Sequence, residues 1–255
     1  MGSRTFAQRF CQKALIRAAN TLLPKSFIVR LAWDSLRTAD ACVALTSWEK
    51  FLLMTVFDAP ERIVHVVPNG VEEAFFEPSD EQRGKWLVCT ATITERKRVV
   101  ETAEAAVLAN VPLWVIGKPY ADTSHYARRF RTIHQEHPDL IRYEGPITDR
   151  RVLARTYRQA RGFVLLSTME SLSLSALEAT ACRCPLLLSD LPWARTSFSQ
   201  HATYCPPGAS SRRTAAVLRR FYDAAPHLPV PPPPLRWPDV AGQLKRVYES
   251  VLKGS

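Results

Sequence analysis

The sequence predicts an α/β fold: a Rossmann-like parallel sheet with helices on both faces, an N-terminal helical extension and a C-terminal crossing helix. Three observations predict it. From residue 85 onward, short apolar runs alternate with stretches of helical period. The runs are continuously apolar, as expected of parallel strands buried on both faces. Six prolines fall within 226–234 and separate this region from a last helical stretch.

In chain order, Phe6, Phe10, Ala14, Leu15, Ala18, Leu22 and Leu23 recur at helical spacing among basic residues. They predict a helix over 4–23, ended by Pro24. A second amphipathic stretch covers 27–38. The run 41–45 reads as a strand. Ser47 then caps a helix through 56, with Glu49 in its first turn, where a carboxylate suits the helix dipole. A strand over 63–67 stops at the turn Pro68-Asn69-Gly70. Strands follow at 86–91, 112–116, 140–143, 162–166, 185–188 and 202–205. Helices follow at 98–110, 124–134, 149–160, 173–182, 209–224 and 238–252. The strand over 112–116 ends in Gly117, and that over 140–143 leads into Glu144-Gly145.

Composition narrows the chemistry. The chain has 255 residues, 46 % of them hydrophobic and 23 % charged, which suits a soluble globular protein with a core. No apolar run approaches the ~20 residues of a spanning helix. No apolar stretch of signal-peptide type follows residues 1–9, so a cytoplasmic location is expected. The six cysteines (Cys11, Cys42, Cys89, Cys182, Cys184 and Cys205) show no Cys-x-x-Cys and read as reduced, mostly buried thiols. The six histidines have no metal-ligand spacing and Asp-x-Asp is absent, so no metal is expected. The lack of Gly-x-Gly-x-x-Gly after a strand argues against a dinucleotide oxidoreductase. A net charge of +10 favours anionic partners. Aromatics are not interleaved with the arginines as stacking platforms would be, so nucleic acid is not expected.

Two segments can carry chemistry. One runs from Met169 through Ala179 and places Glu170 in a strand-to-helix loop and Glu178 inside the helix. Helix N-termini offer free amides to phosphate, and a carboxylate accepts two hydrogen bonds from a diol. The segment therefore suits a ribose at Glu178, a diphosphate on the amides of Leu172, Ser173 and Leu174, and a sugar hydroxyl at Glu170. The other reading is a capped helix, with Ser171 or Ser173 as the cap and Glu178 a solvated charge. The second segment, Thr90 to Arg98, brings Arg96, Lys97 and Arg98 to the end of a strand, where α/β sheets present ligands. These cations suit a diphosphate. Equally, they read as the basic first turn of a solvent-facing helix.

Together these residues resemble the group 1 family of GT-B glycosyltransferases, with the match falling in order along 38–252. Residues 39–47 with 62–71 look like the interdomain crossing, including Gly70. Lys97 matches the family's diphosphate lysine. Residues 167–178 match its Glu-x7-Glu element, and Trp237-Pro238-Asp239 with Val247-Tyr248 look like its closing helix. The resemblance implies a nucleotide-diphosphate sugar as substrate, transfer with retention and no cofactor or metal. It places Lys97 and the amides near Leu172 at the leaving diphosphate. Glu178 would then lie at the ribose and Glu170 at the sugar, with Gly117 and the loop after Gly145 near the base or donor. Ala91-Thr92 stand where the family usually has Gly-Arg, so Arg96 or Arg98 would substitute near Thr92; Ser171 and Ser173 stand for glycines.

The expected organisation is an incomplete, mostly helical N-terminal region with the crossing (1–84), a nucleotide-sugar-binding domain (85–225), a Pro-rich linker (226–236) and a C-terminal helix (237–255). Eighty-five residues are too few for an acceptor domain at ~100–200 residues. The acceptor half is expected to be missing, reduced or supplied by a partner chain. The basic helix over 4–23 would pack on this chain, dock on a partner or lie at an anionic membrane face. A polysaccharide or glycolipid product is expected. The competing expectation is a non-catalytic nucleotide-sugar-binding module.

Overall fold

The computed structural model describes residues 35–78, 80–229 and 231–254. The expected helix over 4–23, and the stretch 27–38 as far as residue 34, lie outside the described residues. The described chain divides into two compact units, one running Gly70–Arg236 and the other holding residues 35–69 together with the C-terminal helix.

In the smaller unit, helix α1 (Ser35–Thr38) precedes strand β1 (Cys42–Ala44), helix α2 (Ser47–Val56) and strand β2 (Val64–Val66). The two strands pair in parallel, Val43 opposite His65. Ala44, Ala59, Ile63 and Val64 form a small core, with Cys42, Leu53 and Met54 packed against it. The cap of α2 is Thr46, not Ser47. Thr46 is extended and its Oγ1 accepts from the Glu49 amide, whereas Ser47 is already helical. Glu49 reaches back to accept from the Leu45 amide at 2.6 Å, a near relative of the capping box. The C-terminal helix α9 (Trp237–Gly254) buries Val240 and Val247, seven residues apart on one face.

The larger unit is a six-stranded parallel sheet in the order β5-β4-β3-β6-β7-β8. Its strands are β3 (Leu87–Thr90), β4 (Leu113–Ile116), β5 (Ile141–Tyr143), β6 (Gly162–Leu165), β7 (Leu186–Ser189) and β8 (Thr203–Cys205). All four residues of β6 and of β7 are buried, as a sheet covered on both faces requires. Helices α3 (Val99–Ala109), α4 (His125–Glu136), α5 (Arg150–Gln159), α6 (Leu174–Ala181), α7 (Pro192–Phe198) and α8 (Ser211–Ala224) flank it. Helix α3 packs on α4 and α8, and α5 packs on α6. Gly162 leaves room for Phe221 of α8: a Cβ there would lie 2.7 Å from the Phe221 ring.

The sequence pattern places the strands and most of the helices, and the structure differs in two further places. Helix α3 starts at Val99, because Arg98 lies in the left-handed region at φ 53°. Helix α7 has no counterpart among the expected elements; it is short and opens on Pro192, a residue suited to a first helical turn.

The unit also takes in the segments flanking 85–225. The chain enters beside the point where it leaves: Val71 forms a parallel bridge with Arg236, its amide donating to the Leu235 carbonyl at 2.9 Å. Arg236 also pairs with Glu73 and lies over the Phe76 ring. Arg83 is a clamp at the base of two helices. Its guanidinium donates to the carbonyls of Tyr157, Arg158 and Ala160 at the end of α5, and of Cys182 and Arg183 at the end of α6. These are carbonyls that helix ends leave unpaired. Cys89, Cys182 and Cys184 are buried free thiols, each pushed up to about 12 by burial. No helix among the described residues is long and apolar enough to cross a membrane.

Candidate functional site

The order of the sheet reverses between β3 and β6, with β4 and β5 to one side and β7 and β8 to the other. At such a switch point the connections diverge and open a crevice at the carboxyl ends of the strands. Lys97 follows β3 and Glu170 follows β6, so each chemistry-bearing segment leaves one of the two central strands.

The two connections are tied to each other. The Thr168 amide donates to the Arg96 carbonyl at 2.8 Å, and the Arg96 guanidinium donates to the Met169 carbonyl at 2.9 Å. Lys97 Nζ donates to Glu170 Oε1, and Arg96 lies 3.5 Å from the other carboxylate oxygen. The Lys97 and Glu170 side chains are only 14 % and 9 % exposed, so this pair is shielded from water and holds its geometry better than a surface pair. Lys97 sits in a 3₁₀ turn (Glu95–Lys97) capped by Thr94, rather than in the first turn of α3. Thr92 is exposed on the same connection.

Beyond Glu170 the chain passes exposed Ser171 and buried Leu172 to Ser173, which caps α6 by accepting from the Ala176 amide. Leu174 is the first helical residue and is exposed. With one of the four opening amides capped, the rest of the first turn has no intrahelical acceptor. The positive end of the α6 dipole therefore lies on the connection that follows Glu170, the partner of Lys97.

Glu178, one turn further, is 7 % exposed; the reading as a solvated charge is overturned. Its Oε1 accepts from Arg150 at the start of α5, and its Oε2 accepts from the Tyr157 hydroxyl at 3.3 Å. Burial pushes its carboxyl above the usual carboxylate range, against the pull of Arg150 and Tyr157. Burial likewise drives the Tyr157 phenol well up, with the Glu178 charge adding to it.

The glycines border this ground differently. Gly117 is forced: at φ 150° its Cβ would lie 2.0 Å from the Ala91 carbonyl oxygen. The close approach lets the connection after β4 run beside that after β3, where the Ile93 amide donates to the Lys118 carbonyl at 3.0 Å. The Gly117 amide in turn donates to the Gly145 carbonyl at 3.2 Å, and Gly145, at φ 85°, has open space where a side chain would stand. Loops after β3, β4, β5 and β6 are thus stitched into one rim. Gly70 is not among the groups these contacts unite; it is buried where the unit begins, next to Val71.

Arg150, Tyr157 and Glu72 were not among the candidates read from the sequence. Arg150 bridges Glu178 and Glu72, with its Nε 2.9 Å from Glu72, and lies over the Phe75 ring. The one sequence signal is position: Arg150 opens the helix after the Gly145 loop, and Asp149 caps that helix by accepting from the amides of Arg151 and Val152. Among the described residues no group of His, Cys, Asp and Glu is arranged to hold a metal ion.

Residues 84–223, more than half of the chain, match the family described as glycosyl transferases group 1. The chain belongs to that family. Two curated relatives are named D-inositol 3-phosphate glycosyltransferase. That of Acidothermus cellulolyticus is 27 % identical over 212 residues, 74 % of this chain and 47 % of the relative. That of Jonesia denitrificans is 31 % identical over 185 residues, 62 % of this chain and 43 % of the relative. This group 1 chain thus spans about half the length of the curated relatives it matches. Its fold is shared with the pneumococcal O-GlcNAc transferase GtfA, solved in complex with UDP and GlcNAc, at a TM-score of 0.67 and 17 % identity, covering 86 % of this chain and 47 % of GtfA.

Proposed function

We propose that the unit Gly70–Arg236 binds a nucleotide-diphosphate sugar and that the protein acts as a glycosyltransferase, transferring a hexosyl-type sugar with retention in polysaccharide or glycolipid assembly. The observation that carries this reading is the frame around the N-terminus of α6: the Lys97–Glu170 pair on one side and the buried Glu178 on the other. The diphosphate lies on Lys97, Arg96 and the amides of Leu172, Ser173 and Leu174. The ribose lies on Glu178 and a sugar hydroxyl on Glu170, while the loops at Thr92, Gly117, Gly145 and Ser171 border the donor. As the bond between the anomeric carbon and the diphosphate oxygen breaks, negative charge grows on that oxygen. Lys97 and the helix dipole stabilise it, and no metal is needed. The UDP named with GtfA supports a nucleotide diphosphate as the ligand class.

A second reading is a non-catalytic nucleotide-sugar-binding module, since the match to the curated relatives covers 47 % and 43 % of their length.

Calorimetric titration with UDP, GDP and ADP in the absence of metal tests both. Binding of one of them, weakened at least tenfold by Glu178→Ala and by Lys97→Ala, supports the donor site. Hydrolysis or transfer of the matching sugar nucleotide then separates enzyme from module. No binding by any nucleotide would remove the reading.

A further inference from the structure

Arg150 is the one cation in contact with Glu178 among the described residues, and it is shared. Its guanidinium donates to Glu178 Oε1 and lies against Glu72, which sits in the segment that opens the unit. The Phe75 ring beneath it is fully buried and packs on Tyr157, whose hydroxyl holds the other Glu178 oxygen. The Arg150 side chain is 39 % exposed and so reaches solvent, whereas that of Glu178 is 9 % exposed. A carboxylate so covered cannot stay charged and aimed without a partner. A diol, being neutral, brings no charge to replace one.

We infer that Arg150 is the positioning residue of the ribose carboxylate: it keeps Glu178 ionised and oriented for a diol while Glu72 balances its own charge. This rests on the nucleotide-sugar reading above. Arg150 need not leave when the ligand arrives. With Glu72 as its second partner it can shift weight from one carboxylate to the other and release a Glu178 lone pair to the ligand. The groups facing Glu178 are Arg150 and Tyr157 from α5, Glu72 from the segment before Phe75, and Cys182 at the end of its own helix. Arg150 is the only one of these four that carries positive charge. Burial already raises the Glu178 carboxyl with Arg150 in place; without it, the carboxyl rises further.

The test is the pH profile of nucleotide affinity from pH 5.5 to 8.5, using whichever of UDP, GDP and ADP binds the native chain. The native profile is the reference, because the nucleotide's own terminal phosphate titrates at about pH 6. Relative to the native chain, Arg150→Met is expected to bind most weakly at the acid end and to recover as pH rises and the carboxyl ionises. Arg150→Lys should restore most of the native profile. Adding Glu178→Gln to Arg150→Met should abolish the pH dependence that exceeds the native one. A loss in Arg150→Met that is equal at every pH would make Arg150 merely structural and overturn the inference. Unchanged affinity in Arg150→Met, with Glu178→Ala still weakening binding, would overturn it and leave the donor site standing. Failure of the native chain to bind any of the three nucleotides would overturn both.

Discussion

Arg150 and Glu178, 28 residues apart in sequence, meet as a charge-assisted hydrogen bond between the first residue of α5 and the middle of α6. Burial nevertheless prevails over this contact and leaves the Glu178 carboxyl raised. The folded chain therefore holds the Glu178 proton more tightly than the unfolded chain does. The stabilising contribution is full below the ordinary carboxyl pKa and is lost as pH rises through the raised value. Glu178→Gln lacks this dependence. In urea melts, native stability should gain on that of Glu178→Gln as pH falls from about 7 to about 4. A gap that stays constant with pH would show that the folded carboxyl is not raised.

Glu170 places a negative charge against the lysine assigned to the diphosphate. A bare nucleoside diphosphate makes no use of a sugar-binding carboxylate and is repelled by it. Glu170→Gln should therefore tighten binding of the preferred nucleoside diphosphate roughly threefold to tenfold, about 1 kcal/mol. The same change should slow turnover of the sugar nucleotide. Weaker diphosphate binding in the variant would mean that Glu170 mainly orients Lys97.

Gly117 has no tolerance for a side chain, because both its φ of 150° and the Ala91 carbonyl oppose one. Gly117→Ala should destabilise the unit by roughly 2–3 kcal/mol. Gly145→Ala meets open space and should cost only about 1 kcal/mol for its positive φ. Thermal denaturation of the two variants side by side checks the ranking.

Arg83 gathers five carbonyls from the ends of α5 and α6, the helices that carry Arg150 and Glu178. Arg83→Ala leaves several carbonyls unpaired and should lower stability by about 2–3 kcal/mol. Arg83→Lys should recover less than half, since an ammonium lacks the planar fork that spans two helices. Hydrogen exchange should show the last turns of both helices opening first.

The sheet was legible because its strands are buried on both faces, and short, continuously apolar runs such as 162–166 suit a central parallel strand better than a surface element. Glu170, Lys97 and Ser173 were legible for a related reason: each lies within a few residues of a strand end or helix start, so local spacing places it. The partners of Glu178 were not. Which residue neutralises a buried carboxylate depends on helix packing, and neither Arg150 nor Tyr157 differs locally from any other arginine or tyrosine on an amphipathic helix. Arg83 escaped for the same cause, since its acceptors are backbone carbonyls that leave no trace in side-chain pattern. The left-handed Arg98 was hidden too. A basic run before a helix reads as the helix's own first turn, and nothing in it marks the residue whose backbone reverses hand.

The bridge between Val71 and Arg236 gives the larger unit a mechanical character. The segments at its two ends run parallel where they bridge, so tension arriving from the Gly70 side and leaving on the Trp237 side loads the pair from opposite directions. The hydrogen bond from the Val71 amide to the Leu235 carbonyl, the Glu73–Arg236 pair and the Arg236–Phe76 stack are then strained together in shear instead of being peeled one at a time. Pulling on the flanking chain must break this clip as a whole before force reaches the sheet, so the crevice between β3 and β6 is insulated from strain arising outside the unit.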